Sequence, residues 1–146
     1  MIRIPEEIVQ QIERHGETTF PEECCGAMFG QDADGVRTVT SIMEIDNSQG
    51  ENRARRFLVT PQQYLRMERL ASERGGALIG FYHSHPDHPA RPSAFDTEHA
   101  LPSLTYVIVS ILQGKSAEVT AWLLGEKRDK FHEQELMVLK SERQIS

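Results

Sequence analysis

Apolar positions along this chain follow two rhythms, and the switch between them marks out the elements. "ALIGFYHSH" (77–85) and "TYVIVSIL" (105–112) are nearly unbroken apolar runs of strand length. Such runs belong to strands covered on both faces, and the second predicts a central one. "CGAMFG" (25–30) reads as a buried strand, "QDADG" (31–35) as turn chemistry, and the β-branched "VRTVTSIMEI" (36–45) as its hairpin partner. "RFLVT" (56–60) and "AEVTAWLL" (117–124), the latter after the "QGK" turn (113–115), predict further strands, and residues 1–4 a short one. The helical rhythm appears from Pro5 to about His15, with Pro in the first turn, Ile8 and Ile12 one turn apart, and Gly16 as the expected stop. It returns in "PQQYLRMERLASERGG" (61–76), where Tyr64, Leu65, Met67 and Leu70 are spaced for one face. "PSAFDTEHA" (92–100) opens a short helix. "FHEQELMVL" (131–139) fits either a strand or a helix. Hairpins and helices are interspersed, so the expected class is α/β with a mixed sheet. No repeat, low-complexity tract or linker divides the chain, which predicts one domain over residues 1–146. Met43, Met67 and Trp122 read as core.

Composition narrows the function classes. A net charge of -6 provides no basic field for a nucleic-acid backbone, and the small cluster Arg53, Arg55, Arg56 reads first as an exposed loop. No apolar run approaches the ~20 residues a membrane helix requires. The N-terminus turns acidic and polar at once, unlike a signal peptide. The 2 cysteines, Cys24 and Cys25, are neighbours and cannot staple a fold, which points to a reducing cytoplasm. They read as buried small residues.

The chemistry concentrates in "FYHSHPDHPARPSAFD" (81–96), which holds half of the chain's 6 histidines. His83 and His85 lie two apart at a strand end, so their imidazoles face the same way. Asp96, in the first turn of the next helix, can add an oxygen. Two His and one Asp make a zinc ligand set that leaves a fourth position open. The spacing alone also admits a plainer reading, because Ser93 and Asp96 form a Ser-x-x-Asp capping box and strand-end histidines are often just solvated. Asp87, His88 and His99 are competing ligands, read first as solvated loop or helix residues. Other templates fail. "HEQEL" (132–136) has Leu where a zinc-protease helix needs its second His, no zinc-deaminase pattern occurs, and there is neither a Gly-rich phosphate loop nor a Gly-x-Ser-x-Gly elbow.

His83-Ser84-His85-Pro86, then Ser93-Ala94-Phe95-Asp96 after seven residues, resembles the His-x-His…Ser-x-x-Asp signature of the JAMM (MPN-type) metalloproteases. "PEECCGAMFG" (21–30) is similar to the family's upstream glutamate followed by Cys-Gly and an apolar strand. Asn47 and Phe57 loosely resemble a further pairing in bacterial members. The resemblance runs from the first helix to about Leu124. It implies an MPN/cytidine-deaminase-like fold, with a mixed, mostly antiparallel sheet flanked by helices. It implies Zn2+ held by His83, His85 and Asp96, with Glu23 as general base and Ser93 as oxyanion donor; Glu22 is the competing assignment for the base. It implies an open site beside a sheet edge, to which an extended tail adds as a strand. The compact chain looks most like bacterial members that act on ubiquitin-like sulfur-carrier proteins. The related DNA-repair-associated family reads His-x-His-Pro-Ser-Gly, where this chain has Asp87-His88. The implied activity is a zinc peptidase or isopeptidase that cuts after a C-terminal glycine tail. A non-catalytic MPN-type scaffold and a zinc hydrolase of a small amide are the alternatives. The substrate's identity and the oligomeric state are not legible.

Overall fold

The computed structural model describes residues 1–45, 59–101, 103–125 and 130–140. Eleven elements follow one another: β1 (Ile2–Pro5), α1 (Glu6–Thr19), β2 (Cys25–Ala33), β3 (Val36–Ile45), α2 (Pro61–Glu73), β4 (Ala77–Pro86), α3 (Ala94–His99), β5 (Thr105–Leu112), β6 (Lys115–Leu124), β7 (Phe131–Gln134) and β8 (Leu136–Leu139). The strands form one sheet in the order β7-β6-β5-β4-β2-β3-β1-β8. Its described pairings are antiparallel between β2 and β3, β2 and β4, β5 and β6, and β6 and β7. They are parallel between β1 and β3, β1 and β8, and β4 and β5. The mixed, mostly antiparallel α/β expectation therefore holds.

The ambiguous segment 131–139 is neither one strand nor a helix. It is two short strands separated by Glu135, and they lie at opposite ends of the strand order. One residue can bridge those ends only if the sheet curls round on itself. A cross-bond fits that curl: at Thr105, Arg37 of β3 donates to the hydroxyl oxygen at 2.8 Å and that hydroxyl donates to Gln134 Oε1 of β7 at 2.8 Å.

Both faces of the sheet are covered, which explains the unbroken apolar runs. In β5, Val107, Val109 and Ile111 pack beneath α1 with Ile8, Val9 and Ile12. Tyr106 points the other way and packs with Phe81, Met67 and Ala71 beneath α2. Each such side chain fully buried is worth roughly 1.5–3 kcal/mol, so these faces fix the register. Helix α2 begins in a capping box: Thr60 Oγ1 accepts Gln63 N–H at 3.1 Å, and Gln63 Oε1 accepts Thr60 N–H at 2.9 Å. Two details of the helices differ from expectation. Leu65 is 60% exposed, because Met67 and Ala71, not Leu65, meet the sheet. Helix α1 passes straight through Gly16 to Thr19. A Cβ at Gly16 would lie 2.9 Å from Ile111 Cδ1 and 3.4 Å from Ser84 Cβ. Gly16 thus lets the helix lie close to β5 and β4 and is not a stop signal.

Of the central cysteines, Cys24 faces the α1 side and Cys25 the α2 side; both are buried thiols outside any disulfide, and Cys25 Sγ donates to the Ile45 carbonyl at 3.3 Å. Met67 is buried, while Met43 and Trp122 are half-buried at the rims. Of the strand expected at 56–60, Val59 and Thr60 are not in a strand, Thr60 instead capping α2, and the rest lies outside the described residues, as do the cluster Arg53, Arg55, Arg56 and the pair Asn47 and Phe57. Among the described residues no helix is long and apolar enough to cross a membrane.

Candidate metal centre

Strand β4 alternates. Tyr82 and Ser84 face α1, while Phe81, His83 and His85 face α2 and α3. The α1 face also accounts for the Cys-Gly step in β2. A Cβ at Gly26 would run into the Tyr82 ring, which is fully buried and pinned by a 2.7 Å hydrogen bond between its hydroxyl and His15 Nδ1. On the other face the two imidazoles meet. His83 Nε2 and His85 Nε2 are 3.1 Å apart. Asp96 reaches over from α3, with Oδ1 3.3 Å from His83 Nε2 and Oδ2 3.1 Å from His85 Nε2.

These distances fit a shared cation. Two ligand atoms at about 2.05 Å from a tetrahedral zinc stand roughly 3.3 Å apart. The hydrogen bonding agrees. His85 Nδ1 lies 2.8 Å from the Pro89 carbonyl, which can only accept, so Nδ1 carries the proton. A neutral His85 then aims a bare Nε2 lone pair at a carboxylate oxygen, an arrangement that calls for a positive charge between them. Burial holds the His83 imidazole below its usual range and hence neutral, against the pull of Asp96. Burial alone would raise Asp96, but positive charge on His83, hydrogen bonds from His83 and His85 and the Ser93 N–H outweigh it and hold the metal-free carboxyl well below its usual range; with both imidazoles neutral, a bound cation would have to supply that charge. With both imidazoles neutral, as metal ligands must be, the group would offer a single negative charge to a divalent ion. Together His83, His85 and Asp96 form the group able to hold a metal among the described residues.

The capping reading of Ser93 and Asp96 is also correct, and it does not compete. Ser93 Oγ accepts Asp96 N–H at 3.1 Å, and Asp96 Oδ2 accepts Ser93 N–H at 2.9 Å while facing His85. The cap orients the carboxylate. The rival ligands go elsewhere. Asp87 Oδ1 accepts the Gln113 N–H at 2.7 Å, His88 is exposed, and His99 stacks on Phe95 with ring centroids 4.0 Å apart.

Glu23 and Glu22, adjacent in sequence, part company in space. Glu22 is exposed, whereas Glu23 is 5% exposed. Burial first, then the charge of Asp96, pushes the Glu23 carboxyl up to about 9. Glu23 lines a cavity of about 510 Å³ with His85, His88, Pro89, Arg91 and Ser93. A second cavity, of about 350 Å³, is lined by His83 and Asp96 and by a largely apolar wall that includes Tyr64, Phe81, Leu101 and Tyr106. Burial pushes the Cys24 thiol up to about 11, so it is no nucleophile.

The sheet-edge expectation is corrected. Strand β4 is interior, paired to β5 on one side and β2 on the other, so no tail can add along it as a strand. The sequence reading also missed the Pro89 carbonyl that sets the His85 tautomer and the aromatic wall of the second cavity. Neither carries a motif, because both depend on where the loop and α2 land.

Comparisons with known proteins agree with this picture. Residues 5–125 match the family described as prokaryotic homologs of the JAB domain. A protein named desampylase from Haloferax volcanii is 36% identical over 91 residues, which span 62% of this chain and 63% of that protein. A protein of known structure from Salinibacter ruber is 40% identical with a TM-score of 0.73, covering 96% of this chain and 93% of that one. A JAB1/MPN domain protein from Archaeoglobus fulgidus, 18% identical, shares the fold with a TM-score of 0.58, covering 95% of this chain and 97% of that one.

Proposed function

The chain belongs to the family of prokaryotic JAB-domain homologs, and from that premise we propose that residues 1–146 form one zinc-dependent peptidase or isopeptidase unit. It cuts the bond after the C-terminal glycine tail of a ubiquitin-like or sulfur-carrier protein in the cytoplasm. The carrying observation is the convergence of His83, His85 and Asp96 beside a cavity that holds both Glu23 and Ser93. A desampylase among the relatives supports a ubiquitin-like substrate.

His83, His85 and Asp96 hold the ion, and zinc suits this nitrogen and oxygen set. Bound there, zinc supplies a Lewis acid and eases deprotonation of water. Glu23 accepts a proton from the attacking water and hands it to the leaving amine. The first half needs Glu23 ionised; without the ion its carboxyl is pushed up to about 9, and a cation bound beside it would pull it back down. Ser93 donates a hydrogen bond to the carbonyl oxygen as negative charge builds on it. The two cavities receive the chain on either side of the cut, and glycines let its backbone approach closely.

The test is mass spectrometry of a carrier protein ending in Gly-Gly and fused to a short extension, incubated with the zinc-loaded protein. Cleavage at the glycine–extension bond, stopped by a chelator, is the expected result. Hydrolysis of small amides with every fusion intact would instead identify an amide hydrolase. Tight partner binding without hydrolysis would identify a scaffold.

A further inference from the structure

We infer that Ser84, the residue between the two histidines, is a positioning residue that sets Glu23 over the ligand group. The inference rests on Glu23 acting as the proton carrier proposed above. Its basis is the way β2 leaves the sheet. The register pairs Cys25 with His83, so Cys24 falls opposite Ser84. A regular antiparallel pair at that point would exchange two main-chain hydrogen bonds. One is made: Ser84 N–H donates to the Cys24 carbonyl at 3.1 Å. The other is not a main-chain bond. Cys24 N–H donates 2.8 Å to Ser84 Oγ, in a fully buried setting.

That substitution has a geometric consequence. The Ser84 hydroxyl stands in for a strand carbonyl, so the chain before Cys24 is released from the ladder while its last peptide remains held. The held peptide is the one that joins Glu23 to Cys24. Side chains alternate about it. Cys24 packs on the α1 face among the core residues there. Glu23 is directed to the opposite face, where it feels the charge of Asp96 and lines the cavity beside His85. The same serine backbone carries His83 on one side and His85 on the other. A single residue therefore ties the carboxylate that moves the proton to the two imidazoles that hold the metal. Its surroundings leave it little freedom. Ser84 is 0% exposed and its Cβ lies beneath Gly16. An alanine here would strand a buried N–H with no acceptor and let the Glu23–Cys24 peptide turn.

The experiment compares Ser84→Ala and Ser84→Thr with the wild type in three measurements. The first is zinc-loaded turnover of the tail-extended carrier. Ser84→Ala lowers kcat by about 10–100-fold, the range for residues that orient a metal site's groups, with KM and bound zinc unchanged within about 2-fold. Ser84→Thr keeps the hydroxyl and recovers most of kcat. The second is amide hydrogen exchange by NMR on the metal-free protein. The Cys24 amide exchanges at least about 10-fold faster in Ser84→Ala, while Ile108 in β5 is unchanged. The third is carbodiimide labelling read by mass spectrometry in a Glu22→Gln background. Glu23 is shielded in the wild type and labelled in Ser84→Ala.

Unchanged Cys24 exchange or unchanged Glu23 labelling in Ser84→Ala overturns the inference. So does an unaltered kcat per folded molecule in a variant that only melts earlier. A wild type that cleaves no fusion sinks the proposed function instead, and the exchange and labelling results then still decide whether Ser84 places Glu23.

Discussion

Removing the charge of Glu23 should make the metal-free protein more stable at neutral pH and remove a specific part of its pH dependence. The reasoning starts from a carboxyl pushed up to about 9 by burial and by Asp96. In the unfolded chain that carboxyl ionises near 4.5, whereas in the folded chain it keeps its proton up to about 9. Its folded pKa is raised, so its contribution is complete below the unfolded value and is lost as pH climbs toward the folded one. Between pH 7 and pH 8 the unfolded state has released this proton and the native state has not. The slope is then about -1.4 kcal/mol per pH unit, a tenfold fall in the folding equilibrium constant. The other shifted groups are quiet in that window. His15 and His83 are held low and stay neutral, Asp96 stays ionised, and the Cys24 thiol titrates above it. Urea unfolding at several pH values, with a chelator present, measures the slope. Wild type and Glu22→Gln should lose about 1.4 kcal/mol from pH 7 to pH 8, whereas Glu23→Gln should lack that loss and be the more stable protein throughout. Parallel lines for wild type and Glu23→Gln would refute the buried, protonated carboxyl. Loss of the slope in Glu22→Gln would move the site one residue back.

The purified protein should bind one zinc ion, and the His83→Ala, His85→Ala double variant none; equal zinc by elemental analysis would remove the metal centre. Glu23→Gln should retain zinc and lose ~10²–10⁴-fold in turnover, with Glu22→Gln near wild type. Gly26→Ala should cost about 1–3 kcal/mol, because its methyl must displace the pinned Tyr82 ring; thermal unfolding should show a fall of several degrees. Tyr64→Ala, which opens the apolar cavity beside His83, should raise KM for the carrier fusion by about 10-fold with kcat little changed, and an unaltered KM would place the tail elsewhere.

Local signals were readable where one interaction dominates. The run Thr105–Leu112 announces a strand covered on both faces, since no other placement buries alternate Val and Ile on one side and Tyr106 on the other. Thr60 and Pro61 announce the start of α2 because capping is a matter of a few adjacent residues. Gly16 misled because a glycine can end a helix or admit a neighbour, and only the closeness of Ile111 tells which. Segment 131–139 was opaque because its break at Glu135 answers to the curl of the sheet, a property of strands far away in sequence. The sheet-edge expectation failed for the same reason. Strand order is set by pairing, and β4 carries no mark in its own sequence of having neighbours on both sides. The pairing of His83, His85 and Asp96 was legible because strand alternation and a helix cap each fix a direction over a short span.

The arrival of Glu23 beside that group, from a part of the chain well before β4, follows from the topology. Strand β4 pairs with β5 in parallel, so their connection must cross over and deliver α3, and with it Asp96, to the carboxyl end of β4. The carboxyl ends of parallel strands are where open α/β sheets place their ligands. Strand β2 pairs with β4 in the opposite sense, so the beginning of β2 lies beside the end of β4. Glu23, two residues before β2, is therefore carried to the cavity beside His85 at the end of β4. A parallel β2 would have carried Glu23 to the opposite rim of the sheet. The switch of strand direction at β4 brings a carboxylate from one neighbour and a carboxylate from the crossover to the same pair of imidazoles. The first remains buried and protonated, and the second remains ionised between them. Two acids flanking one pair of imidazoles thus take opposite charge states in the metal-free protein, the division that the proposed proton carrier and metal ligand call for.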